Sequence, residues 1–163
     1  MLNDSKILFI DFDGVLNSFD NMRVLYSLHD QTKGTVKSMD SYGHLFDDRC
    51  VKWLRYIVSK TDCKIVVSSS WKTAGLDRLR LMFYDRKIDL DIVGITPNIE
   101  NSIRGKEIQK YIDKHNITNY CILDDHNDML DSQMDRFVQC DGNFGLTHKE
   151  VKKVIEVLNG KTK

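Results

Sequence analysis

Five short apolar runs constrain this chain more than any other feature: 7–10, 64–67, 91–95, 120–123 and 136–140. Each is continuous rather than alternating, which is how a strand reads when both faces of its sheet are covered. Between them apolar residues recur at helical spacing. Val51, Leu54, Ile57 and Val58 mark a helix over about 48–60, and Leu76, Leu79 and Met82 or Phe83 suggest a second. Ile108, Tyr111 and Ile112 mark a third, opening near Gly105, and Val151, Val154, Ile155 and Leu158 a fourth. Thr147 and Glu150 have the spacing of a capping box for the last one. Strand–helix alternation predicts an α/β fold, a three-layer sandwich around a mostly parallel five-stranded sheet.

The chain has 163 residues, enough to bury roughly two-thirds of its unfolded surface, so it needs no covalent staple. No repeat or linker divides it, and residues 1–163 read as a single domain. Lys+Arg and Asp+Glu are 24 each, which excludes a generic basic nucleic-acid coat and an acidic disordered tail but not a local basic patch. No apolar run approaches the ~18 residues of a membrane span. The opening Met1–Lys6 lacks a signal-peptide pattern. Cys50, Cys63, Cys121 and Cys140 form no CxxC pair and read as reduced, mostly buried thiols, so a cytoplasmic location is expected.

Residues 18–46 break the alternation: they are polar, without a clear period, and follow the first strand directly. A stretch this long inside a compact domain is usually functional or disordered. It is expected to form a short flap or cap insertion.

Ligands of an open parallel sheet bind at the carboxyl ends of its strands. Here those ends carry Asp11-Phe12-Asp13-Gly14 after the first run, Ser68-Ser69-Ser70-Trp71-Lys72 after the second and Asp124-Asp125-His126-Asn127-Asp128 after the fourth. Arg104 and Lys106 open the third helix. Each piece alone has a plain reading as a turn, a cap or a solvated helix start; all four together, in this order, are hard to obtain by chance. Carboxylates converging on one point repel unless a cation joins them, and hard oxygen ligands with places for water suit Mg²⁺. A serine hydroxyl and a cationic side chain add donors for phosphate oxygens. A carboxylate facing phosphorus is a nucleophile, and Gly14 permits a sharp turn beneath the site.

The order Asp-x-Asp-Gly-Val-Leu, Ser, basic residue, Asp-Asp resembles the haloacid dehalogenase (HAD) superfamily of phosphatases and phosphotransferases, from Lys6 to about Leu158. The runs Ile65–Lys72, Arg104–Ile108, Ile122–Asp125 and Gly145–Thr147 are similar to a small bacterial and phage branch sometimes fused to RNA-repair enzymes. The resemblance implies a Rossmann-like sandwich with Asp11 as nucleophile and metal ligand. Asp13 would be general acid and then base, its backbone carbonyl a metal ligand. Ser68, with Ser69 beside it, would hold a phosphate oxygen, and Arg104 or Lys106, with Arg104 favoured, would neutralise the phosphoaspartate. Asp125, with Asp124 directly or through water, would complete the Mg²⁺ site. Gly14 and Lys72 are further substrate-side candidates, although Lys72 stands where this branch leads one to expect arginine.

Two other phosphate-handling folds fit poorly. A receiver domain carries its acidic pair after the first strand, whereas here it follows the fourth. Gly160-Lys161-Thr162 imitates the end of a Walker loop, but Ile155 takes the place of its first glycine.

The expected activity is a Mg²⁺-dependent phosphomonoesterase working through an aspartyl-phosphate on a nucleotide or nucleic-acid end. The expected partner is a phosphorylated small molecule or nucleic-acid end, with no membrane, and no obligate protein partner is legible in the sequence. The alternative is a catalytically weak phosphate- or nucleotide-binding module serving as regulator or partner of a nucleic-acid repair enzyme. Tyr26, His29, Tyr42, His44 and Phe46 can either stack on a base or pack the lid onto the domain. Trp71 reads as core packing, His115 and His148 as helix-surface residues, and His126 as secondary to Asp13 in proton transfer.

Overall fold

The structure is a computed structural model describing residues 5–160. The expectations that fall on residues 1–4 and on Lys161 and Thr162 lie outside the described residues. Five parallel strands form the main sheet: β1 (Ile7–Ile10), β4 (Lys64–Val67), β5 (Ile92–Ile95), β6 (Tyr120–Asp124) and β7 (Phe137–Gln139). Their order is β5-β4-β1-β6-β7. From β1 the chain builds outward on one side through β4 and β5, then crosses to the other side for β6 and β7. The central strand therefore lies at the point where the winding reverses, the place beyond whose strand end ligands of open α/β sheets bind.

Alternation along each strand sends side chains to two separate cores. Leu8, Ile10, Ile65, Val67, Cys121 and Leu123 face one side, where they meet α2 (Asp48–Thr61), α3 (Leu76–Asp85) and α5 (His148–Leu158). Ile7, Phe9, Val66 and Ile122 face the other, packed on Ile108, Tyr111 and Ile112 of α4 (Arg104–His115). This is the expected three-layer, Rossmann-like sandwich. The edge strand β5 is only half-buried on alternate residues, while β1 and β6 are buried throughout. The capping box forms as predicted: the Thr147 side chain accepts from Lys149 N, and Thr147 N donates to Glu150 Oε2 at 3.2 Å. All four cysteines are buried and unbridged. Among the described residues, no helix is long and apolar enough to cross a membrane.

The aperiodic segment is more ordered than its pattern suggests. It forms α1 (Phe19–Gln31) and a two-stranded ribbon of β2 (Met39–Asp40) and β3 (Gly43–His44). Helix α1 has no buried residue; its Phe19, Met22 and Leu25 form only a short half-buried stripe, blurred by the exposed Val24, Tyr26 and Leu28. Its start is set locally, by the Ser18 hydroxyl accepting from Asn21 N at 3.3 Å. The ribbon is latched to α3 by Arg86. That guanidinium forks onto both Asp40 oxygens at 2.8 and 2.9 Å, donates to His44 O at 3.0 Å and lies over the Phe46 ring.

Candidate active site

Phe12 is the anchor from which the site is built. It is fully buried, with Phe46, Trp71 and Phe83 around it at ring distances of 5.1, 5.8 and 5.9 Å. Its carbonyl accepts from the N–H groups of Val15, Leu16 and Asn17, closing a tight turn directly after β1. With Phe12 committed to the core, the flanking Asp11 and Asp13 are presented at the strand end.

Asp11 and Asp13 have different surroundings. Asp11 is buried; its Oδ1 accepts from Phe12 N at 2.7 Å, the Ser69 side chain bonds it, and Arg104 Nη2 stands 3.7 Å from its Oδ2. Burial raises its pKa, and Arg104 only partly offsets that effect. Asp13 lies outside this acidic group. Asn17 Nδ2 donates to its Oδ1 at 2.7 Å and Trp71 Nε1 to its Oδ2 at 3.0 Å.

β6 delivers the second pair of carboxylates. Asp124 is fully buried, accepts from His126 N at 2.9 Å and faces Arg104 Nη1 at 3.7 Å. Burial first, and then the nearby Asp11 carboxylate, push its pKa up to about 7. Asp125 rests against Gly14, where a Cβ would come within 2.3 Å of Asp125 Oδ2. Gly14, at φ +70°, thus serves both the turn and the approach of a carboxylate from the neighbouring strand.

Arg104 is aimed by the start of α4. Asp128 Oδ2 accepts from Arg104 N at 3.0 Å, and the Asp128 carbonyl from Gly105 N at 3.1 Å. A Cβ on Gly105 would lie 2.6 Å from Leu130 N, so only glycine lets the helix seat this closely. Asp128 and Gly105 are site-building residues that the sequence pattern did not single out for that task.

One ligand atom each from Asp11, Asp124, Asp125 and His126 lie within 4.8 Å of one another. Arg104 faces Asp11 and Asp124, His126 meets Asp125, and among the described residues the buried Asp124 Oδ2 has no hydrogen-bond partner. This donor set fits Mg²⁺, which takes carboxylate oxygens and retains water. His126 Nδ1 meets Asp125 Oδ1 at 2.8 Å, and its ring nitrogen is a softer donor than the oxygens Mg²⁺ takes, so it serves here as partner of a carboxylate. The Ser68 hydroxyl, also fully buried at the end of β4, has no partner either.

Two expected contacts are corrected. Lys106 is exposed, because two residues along a helix rotate it about 200° from Arg104. Lys72 is buried in an ion pair with Glu107 and donates to Thr96 Oγ1 and the Pro97 carbonyl, both at 3.2 Å, so its charge is committed to the scaffold. The aromatic residues of 18–46 make contacts within the segment and with the sheet domain. Phe46 is buried, Tyr42 O–H donates to Asp85, Tyr26 O–H meets His44 Nδ1 at 3.1 Å, and His29 Nδ1 meets Val36 O at 2.9 Å.

A family model described as "HAD domain in Swiss Army Knife RNA repair proteins" matches residues 7–151. No curated protein and no solved structure matches the chain.

Proposed function

The chain belongs to this family of HAD domains, and from that premise we propose that it is a Mg²⁺-dependent phosphomonoesterase acting through an aspartyl-phosphate, with a nucleic-acid end phosphate or a nucleotide as substrate. One observation carries the reading. Two aspartates two residues apart sit in opposed settings, Asp11 in the acidic cluster beside Arg104 and Asp13 outside it on two N–H donors. Separated environments are how one site holds a nucleophile and a proton carrier together.

Asp11 attacks phosphorus, and the bond from phosphorus to the leaving oxygen breaks. Asp13 gives its proton to that oxygen, releasing an alcohol and leaving phosphate on Asp11. Asp13, now ionised, then takes a proton from water as the water oxygen attacks phosphorus. The bond to Asp11 breaks, inorganic phosphate departs and both aspartates return to their starting states. Arg104 neutralises charge on Asp11, and the unpartnered Ser68 hydroxyl is a donor for a phosphate oxygen. Asp11, Asp124, Asp125 and the Asp13 carbonyl would hold Mg²⁺, whose charge would stabilise the phosphoryl oxygens.

The substrate class rests on the family's association with RNA repair. A panel of nucleoside monophosphates, 3′- and 5′-phosphorylated oligonucleotides and sugar phosphates, with Mg²⁺ and with chelator, tests both parts. Phosphate should be released from an oligonucleotide end or a nucleotide in preference to sugar phosphates, only with the metal. No release from any member contradicts the enzymatic reading; preference for sugar phosphates contradicts the substrate class.

A further inference from the structure

Trp71 is half-buried in the helical turn Ser70–Ala74 that follows β4, and its indole does two things at once. Its rim is packed by Phe12 and Phe46, with the Arg86 guanidinium 5.7 Å from its centre. Its N–H points out of that packing to Asp13 Oδ2 at 3.0 Å, across 58 positions of sequence. With Asn17 on the other oxygen, the carboxylate has one donor at each end, which fixes its plane and leaves a lone-pair site on each oxygen for a proton.

The ribbon reaches the outer end of the same indole. A Cβ at Gly43 would come within 3.0 Å of Cη2 and 3.6 Å of both Cζ2 and Cζ3, so the ribbon abuts the tip of the benzo ring. Gly43 also sits on the hairpin that Arg86 latches to α3.

We propose that Trp71 is a positioning residue for Asp13: clamped between the Phe12 core and the flap ribbon, its N–H sets the direction in which Asp13 delivers its proton. The inference rests on the phosphatase reading above and extends it to a residue outside the reacting set. It places the flap's influence on chemistry rather than on binding alone.

The test is the leaving group. kcat/KM covers the steps up to transfer onto Asp11, and an alkoxide needs a proton there whereas a nitrophenolate does not. Trp71→Phe keeps an aromatic ring and removes the donor. It should lower kcat/KM for 2-phenylethyl phosphate by about tenfold or more, while p-nitrophenyl phosphate changes by less than about threefold. Benzothienylalanine placed at position 71 keeps the bicyclic shape without the N–H and should give the same split, which covers the case of a Trp71→Phe protein that does not fold. Equal losses on both substrates, or no loss on either, would mean that Trp71 only packs, and the proposal falls. A parent protein that with Mg²⁺ releases phosphate neither from these two nor from any nucleotide or oligonucleotide of the panel would instead overturn the phosphatase reading, and this inference with it.

Discussion

The division of labour between Asp11 and Asp13 is a matter of single atoms. Asp11→Asn puts an amide, a poor nucleophile and weak cation ligand, at the reacting position, and turnover of p-nitrophenyl phosphate should fall by at least about a thousandfold. Activity within about threefold of the parent would remove the nucleophile assignment. The same substitution relieves a buried carboxylate whose charge is disfavoured, so the metal-free variant should resist urea at pH 8 at least as well as the parent. Asp13→Asn leaves the backbone carbonyl in place, removes the proton carrier and turns an NH₂ toward one of the two N–H donors, Asn17 or Trp71. Its trace on p-nitrophenyl phosphate should be a burst of about one nitrophenolate per enzyme followed by a slow phase, because water then lacks its base. Slowing without a burst would shift the acid–base role, with His126, bonded to Asp125, the next candidate. Both aspartates are visible in the sequence because they adjoin a strand end. The Trp71 bond to Asp13 is not, since it depends on where a separate strand and turn place an indole.

At the scale of elements, the seating of α4 decides where Arg104 points. Alanine normally favours a helix over glycine by about 1 kcal/mol. At Gly105 the added Cβ meets backbone at 2.6 Å on Leu130 N, and Gln133 Oε1 at 2.7 Å. Gly105→Ala should therefore destabilise, by about 1–3 kcal/mol in urea unfolding, and lower activity by displacing Arg104. A stabilised variant would show that the helix can shift without cost. Strands 7–10 and 64–67 were legible to the residue because buried parallel strands are continuously apolar. Helix α1 was not, because its half-buried stripe of Phe19, Met22 and Leu25 is masked by the exposed Val24, Tyr26 and Leu28. The Arg104–Lys106 alternative was likewise open in sequence. In the fold, helical rotation puts Arg104 3.7 Å from Asp11 and leaves Lys106 exposed.

The molecule as a whole carries the strain of its own site. Asp124 is raised to about 7 by burial and by Asp11, and Asp11 is raised mainly by burial. Groups whose folded pKa exceeds the unfolded value contribute stability at low pH that is lost as pH rises through the folded pKa. The metal-free Tm should accordingly fall between about pH 5 and pH 8 through these two groups, and Mg²⁺ should remove most of that fall by joining the carboxylates. Calorimetry with and without chelator checks both signs; a metal-free Tm rising over this range, or unresponsive to Mg²⁺, would contradict a cation site at the cluster.

By itself, the amino-acid sequence determined the layers, the strands and which residues stand at strand ends, because periodicity and local caps are short-range properties written within a few residues. Tertiary structure alone decided which of those residues meet: Asp125 against Gly14, Arg104 between Asp11 and Asp124, Lys72 diverted to Glu107 and Trp71 onto Asp13. Those meetings are set by strand order and by how closely helix and turn pack, to within the width of one Cβ. Such long-range distances leave no periodic trace along the chain.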